Sequence, residues 1–232
     1  RDPLDIFNAA IRDQASKRWP DQGDTLGTLD IRTLILATWV GFDTDGRSDI
    51  HWWDTLRIRL ALKRTQLERL RTQLESLLPQ CSQLVARIDV ALGAVKEQEA
   101  ACPDQQHHDA NAIAAFAQAL VSRRESALIS AETLRPLFDE ALALTDGEKR
   151  SALLTARSGF MAHGLGAAHI HTRLNATQIY NVVRHRLGIE DDPTIPSRRR
   201  LVLSQINEAL EGIKEPIPVD FGAVMMEQSS AG

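Results

Sequence analysis

The sequence predicts a mainly α fold, a helix-rich segment with about two parallel strands and one long helical hairpin. Three observations predict it. Apolar residues recur at spacings of three and four through most of the 232 residues, the pattern of helices with one buried face. Only two stretches leave that pattern for one that suits a strand, residues 34–40 and 167–174. From Trp53 a stripe of Leu56, Leu60, Lys63, Leu67, Leu70, Leu74 and Leu77 holds one face for more than three heptads. After Pro79 a second stripe of Leu84, Ile88, Leu92 and Val95 follows, so residues 52–100 read as an antiparallel hairpin.

Taken in order, Asp2-Pro3 starts a helix with a capping carboxylate and a proline in the first turn. Leu4, Phe7, Ile11 and Ala15 form its expected inner face, and Pro20 stops it. Residues 21–30 are a polar connection into the apolar run Leu34-Ile35-Leu36-Ala37-Thr38-Trp39-Val40, which Gly41 ends abruptly. Beyond the hairpin, Cys102 to Asp109 is a loop carrying the adjacent His107 and His108. Helices are then expected at 110–127, with Ile113, Phe116 and Leu120 inward, and at 131–144, capped by Ser130. Pro136 favours a later start for the second. Another helix spans Gly147 to about His163, and Gly164-Leu165-Gly166 breaks it. Residues 167–174 alternate, with His169, His171 and Arg173 on one strand face. Further helices are read at 176–187, from Ser197 to about Leu210, and at 221–227, which makes about nine helices in all.

Composition narrows the function. The chain carries 27 Lys+Arg against 31 Asp+Glu, so no global field draws it to nucleic acid, and Arg198-Arg199-Arg200 reads as a solvated helix start. No stretch is apolar enough to span a bilayer, and no basic-then-apolar leader opens the chain. Cys81 and Cys102 are too few for a disulfide scaffold and suit a reducing cytoplasm; Cys81 lies on an apolar helix face, as a buried thiol would. The chain opens without Met and ends on Ser229-Ser230-Ala231-Gly232, and the expectation is a piece of a longer protein.

The nine residues Trp39-Val40-Gly41-Phe42-Asp43-Thr44-Asp45-Gly46-Arg47 resemble the W-x-G-G-D-R-D-G-N loop of the phosphoenolpyruvate carboxylase family. Agreement falls on Trp39, Gly41, Asp43, Asp45 and Gly46. Ile170-His171-Thr172-Arg173 resembles the L-D-[IL]-R segment of that family's third strand, after a glycine-leucine stretch like Gly164-Leu165. The resemblance, to a divergent bacterial-type member and a partial chain, implies part of a helix-rich (β/α)8 barrel with the hairpin 52–100 as an excursion. It implies carboxylation of phosphoenolpyruvate by bicarbonate to oxaloacetate and phosphate, with Mg2+ or Mn2+ at the enolate, in a cytoplasmic homo-oligomer. Carried over residue by residue, it makes Asp43, Asp45 and Arg173 catalytic and Arg47 and His171 substrate-binding, with no metal ligand among them. Thr44 stands where the family has arginine, Arg47 where it has asparagine, and His171 where it has aspartate. The chain carries no T-A-H-P-T motif and no glycine- and arginine-rich phosphate loop, so it is expected to be inactive alone.

Other readings of these residues stand beside that one. Asp43 equally suits a bridge to Arg47 or Arg173, Asp45-Gly46 a turn, and Asp49 a helix cap. Asp43-Thr44-Asp45-Gly46 is also a fraction of a calcium loop without its remaining ligands. His169 and His171 could join His163 at a metal, or simply pack. The alternative for the whole chain is a non-catalytic interaction or regulatory domain that associates through the hairpin.

Overall fold

The computed structural model describes residues 3–23, 36–41 and 49–170. Six α-helices are present among them: α1 (Pro3–Arg18), α2 (Trp52–Glu75), α3 (Ser82–Ala100), α4 (Ala110–Ser122), α5 (Arg135–Ala143) and α6 (Gly147–His163). Two-residue strands, β1 (Ala37–Thr38) and β2 (His169–Ile170), pair with each other. The helices expected beyond residue 174 lie outside the described residues. The mainly α reading therefore holds; residues 34–35 and 171–174 of the two expected strands lie outside the described residues.

The chain divides into two compact units. The first comprises Arg1–Leu36, Leu60–Ala101 and His108–His169, and the second Ala37–Arg59, Cys102–His107 and Ile170–Gly232. In the first unit α6 is the central element. All eleven residues from Leu153 to His163 are buried, the burial pattern of a helix covered on every side. Ala156, Ser158, Gly159 and Ala162 keep its girth small, and α1 and α5 both pack on it. At Gly159 an added Cβ would sit 3.4 Å from Asp5 Oδ1 of α1 and 3.7 Å from Arg69 Nη2 of α2. The missing side chain lets that ion pair, at 2.8 Å, lie against the helix. Gln73 donates to the other Asp5 oxygen at 2.6 Å. Gly164, with φ +61°, ends α6 in a conformation that suits glycine.

Contact with α6 overturns the expected face of α1. Phe7 is 48% exposed, Ile11 and Ala15 are only half-buried, and the buried residues are Asn8 and Arg12. The reason is chemical. The neighbouring stretch of α6 offers the hydroxyls of Thr155 and Ser158, and Arg12 donates to that of Ser158. A buried guanidinium needs such acceptors, so hydrogen bonding rather than apolar spacing sets the rotation of α1.

The hairpin forms as the leucine spacing predicts. Leu67, Leu70 and Leu74 are buried on α2, Leu77 in the turn after it, and Leu84, Ile88, Ala91 and Val95 on α3. Cross-pairs run from Arg64 to Glu99 (2.8 Å), Glu68 to Lys96 (3.9 Å) and Arg71 to Asp89 (2.7 Å). Later residues of α2 meet earlier residues of α3, as antiparallel helices require. The paired carboxylates raise the Arg64 and Arg71 guanidinium pKa values further.

Two later boundaries also shift. The helix expected at 110–127 ends at Ser122, because the following turn is held from outside. Arg87 takes the Ser126 and Glu125 carbonyls at 2.8 and 2.7 Å, and Lys63 takes that of Leu128. Leu128 itself lies at φ +65°, where a helix cannot continue. In place of one helix at 131–144, Ser130 caps a 3-10 turn, Ala131–Leu134, and α5 starts beside Pro136, which fits a helix's first turn.

Candidate functional site

Of the predicted site residues, Asp43, Asp45, Arg47, His171 and Arg173 all lie outside the described residues. What the structure gives is the frame at both ends of the 42–48 segment, within the second unit. On the incoming side β1 ends at Thr38, whose hydroxyl accepts the Val40 N–H at 3.2 Å. Trp39 and Val40 are 63% and 69% exposed. Gly41 follows at φ +79°, and its carbonyl accepts from the Thr55 hydroxyl on α2 at 2.9 Å. A Cβ at Gly41 would fall 2.1 Å from Ile58 Cδ1. The left-handed backbone favours glycine there, and a larger residue would also have to displace the end of the Ile58 side chain.

The chain returns through His51, which starts α2. Asp54 Oδ2 accepts the His51 backbone N–H and lies 2.9 Å from its Nδ1 as well. Asp54, three residues after His51, satisfies the helix start from within, in the spacing of a capping box. Arg57 approaches the other Asp54 oxygen at 3.6 Å. The His51 ring stacks on Trp53 at 4.5 Å with 4° between planes, and Trp52 meets Trp53 edge-on at 5.6 Å. With Nδ1 donating to a carboxylate and the ring face covered, the imidazole is held in one orientation with Nε2 as its basic nitrogen. Thr55, Ile58 and the His51–Asp54 pair are the residues that sequence reading passed over. Only the spacing of the last pair was visible in advance.

The second loop of this unit closes on itself. Asp104 accepts the His107 and Gln106 N–H groups at 2.7 and 2.8 Å, which holds its carboxyl below the usual aspartate range. His107 Nδ1 lies 3.2 Å from the same oxygen. Arg57 donates to the Pro103 carbonyl and the Cys102 thiol to that of Trp53, tying this loop to α2. Among the described residues no group of three or more His, Cys, Asp or Glu side chains could hold a metal ion. Of His163, His169 and His171, the last lies outside the described residues, and the rings of the other two lie against backbone groups. Burial pushes the Cys81 thiol pKa up, as expected of an inert buried cysteine. No helix among the described residues is long and apolar enough to cross a membrane.

The fold and frame define a mainly α-helical protein in which a short strand and a long helix bracket a polar, aspartate-bearing segment. Compared with known protein families, curated proteins and solved structures, the chain matches none.

Proposed function

We propose that this chain is part of a phosphoenolpyruvate carboxylase-like lyase that joins phosphoenolpyruvate and bicarbonate to give oxaloacetate and phosphate. The observation that carries the reading is Gly41. The resemblance calls for glycine at that position, and the backbone there is left-handed and pressed against Ile58, so the residue matched by motif is one the local geometry requires. A turn so constrained, anchored to α2 by Thr55, suits a segment that must present Asp43 and Asp45 in a fixed geometry.

In this reading Arg47 and His171 bind the phosphate and carboxylate of the substrate. Arg173 stabilises the enolate charge that develops on the enol oxygen as its P–O bond breaks and the phosphoryl group passes to a bicarbonate oxygen, and Asp43 and Asp45 orient those cations. A divalent ion would supply further charge stabilisation at the enolate, but no ligand set for it exists among the described residues. The chain alone should show no turnover, since it carries no T-A-H-P-T histidine and no arginine-rich phosphate loop. Cytoplasmic location and homo-oligomerisation belong to the same proposal. The competing reading, association through the hairpin, is weakened by the burial of the leucine stripe within the chain.

The test is an oxaloacetate-coupled carboxylation assay with phosphoenolpyruvate, bicarbonate and Mg2+ on the longest natural form. Turnover that collapses in Asp43→Ala and Arg173→Ala, with the helical circular dichroism unchanged, supports the assignment. Absence of activity in the well-folded parent overturns it.

A further inference from the structure

The end of α6 meets the residue before β1 through a polar exchange that lies entirely in the first unit. His163, the last residue of α6, is buried, and its ring uses both nitrogens. Nδ1 lies 3.2 Å from the Gly159 carbonyl one turn back, and Nε2 lies 3.1 Å from the Leu36 backbone nitrogen. A carbonyl only accepts and a peptide N–H only donates, so the partners fix the protons: Nδ1 carries the hydrogen and Nε2 the lone pair. The other peptide group of Leu36 is taken too, because its carbonyl accepts the His169 N–H at 2.7 Å. The His169 ring in turn lies 3.4 Å from the Ala162 carbonyl. One residue is thus gripped through both backbone groups by the segment from His163 to His169.

We propose that His163 is a positioning residue: through its Nδ1–H tautomer it sets the register in which β1 pairs with β2. Two-residue strands make too few ladder bonds to specify register, and a one-residue slip reverses which face every side chain takes. The ring nitrogen supplies, at the residue before the strand, an acceptor that no strand provides. Register matters because a slip of one residue would exchange the faces that Ala37 and Thr38 take in the strand that leads to the left-handed Gly41. The bearing on catalysis rests on the function proposed above; the claim about register does not.

The experiment uses the full chain with 15N-labelled histidine, read by NMR, together with amide hydrogen exchange. The expected result is an Nδ1–H tautomer at His163 and a protected Leu36 amide. In His163→Leu the Leu36 amide should exchange roughly three- to tenfold faster, the range expected for one lost hydrogen bond, with the amides of Leu67 and Leu70 unchanged. His163→Gln, whose side-chain oxygen can accept, should restore most of that protection. An Nε2–H tautomer in the wild type, or unchanged Leu36 exchange in a folded His163→Leu, overturns the proposal. Should His163→Leu fail to fold, the wild-type tautomer and the glutamine variant decide it. In the longest natural form, kcat for carboxylation should fall in His163→Leu and recover in His163→Gln. A wild type without turnover sinks the lyase reading while the tautomer and exchange results still decide this one.

Discussion

Leu74→Ala separates the two functions that the hairpin invites. Leu74 has no exposed surface, and it sits between Leu70 and Leu77, both buried, in a stripe that sequence alone could assign to an internal core or to an oligomer seam. If the stripe is internal, the substitution removes buried methyl groups and leaves a cavity, which costs about 3 kcal/mol within a range of roughly 2–5. With a urea m-value of roughly 3 kcal/mol per molar for a chain this size, the unfolding midpoint should drop by about 1 M. The assay is urea denaturation followed by far-UV circular dichroism at two protein concentrations tenfold apart. Thr72→Ala, at an exposed site two residues earlier, serves as control and should move the stability by less than about 0.5 kcal/mol. An internal stripe predicts the same Leu74→Ala loss at both concentrations. A loss that changes with concentration, or one below about 1 kcal/mol, would refute the reasoning, because burial of that leucine would then depend on a second molecule.

Gly41→Ala should destabilise by about 1–2 kcal/mol from the left-handed backbone alone, with an added cost from displacing Ile58 Cδ1. Since Ile58→Val deletes that one carbon, the added cost should vanish in the double variant; strictly additive losses in a double-mutant cycle would show that the turn does not touch α2. NMR titration should find the Asp104 carboxyl midpoint below the ordinary aspartate range. The sign follows: a depressed folded pKa gives stability that is present above the unfolded value and lost as pH falls through the folded one. An ordinary or raised midpoint would disprove the His107 and Gln106 hydrogen bonds. A thiol reagent at mildly alkaline pH should modify Cys102 first and leave Cys81 untouched until denaturant is added, and simultaneous modification would contradict the burial of Cys81.

Sequence patterns were readable where burial is apolar and failed where it is polar. Leucines at three- and four-residue spacing gave the hairpin because each is buried for its hydrocarbon, and the Gly147 to His163 helix was visible between its flanking breaks. The face of α1 was misread because Asn8 and Arg12 are buried for their hydrogen bonds, a motive that apolar periodicity does not record. The end of α4 was misplaced for a related reason. Val121 to Ala127 contains nothing that stops a helix, and the stop comes from Arg87 and Lys63, residues far away in sequence. At the site, Gly41 was found through the resemblance, whereas Thr55 and Ile58, which hold it, belong to an otherwise ordinary helix start.

The surface of the hairpin bears on where function can reside. The pairs Arg64–Glu99 and Arg71–Asp89, and the Glu68–Lys96 approach, sit partly or largely in solvent, where such pairs add little to the stability of the fold. Such pairs define the antiparallel register, but they are poor material for an interface. Covering them with a partner strips their hydration, and the attraction between the charges often fails to offset that loss. The leucines from Leu67 to Leu77 are buried, while Leu78 and Val90 remain exposed. The hairpin's α2 does have a local task, since the amino end of that helix fixes Gly41 through Thr55 and Ile58 while its later turns bind Asp5 of α1.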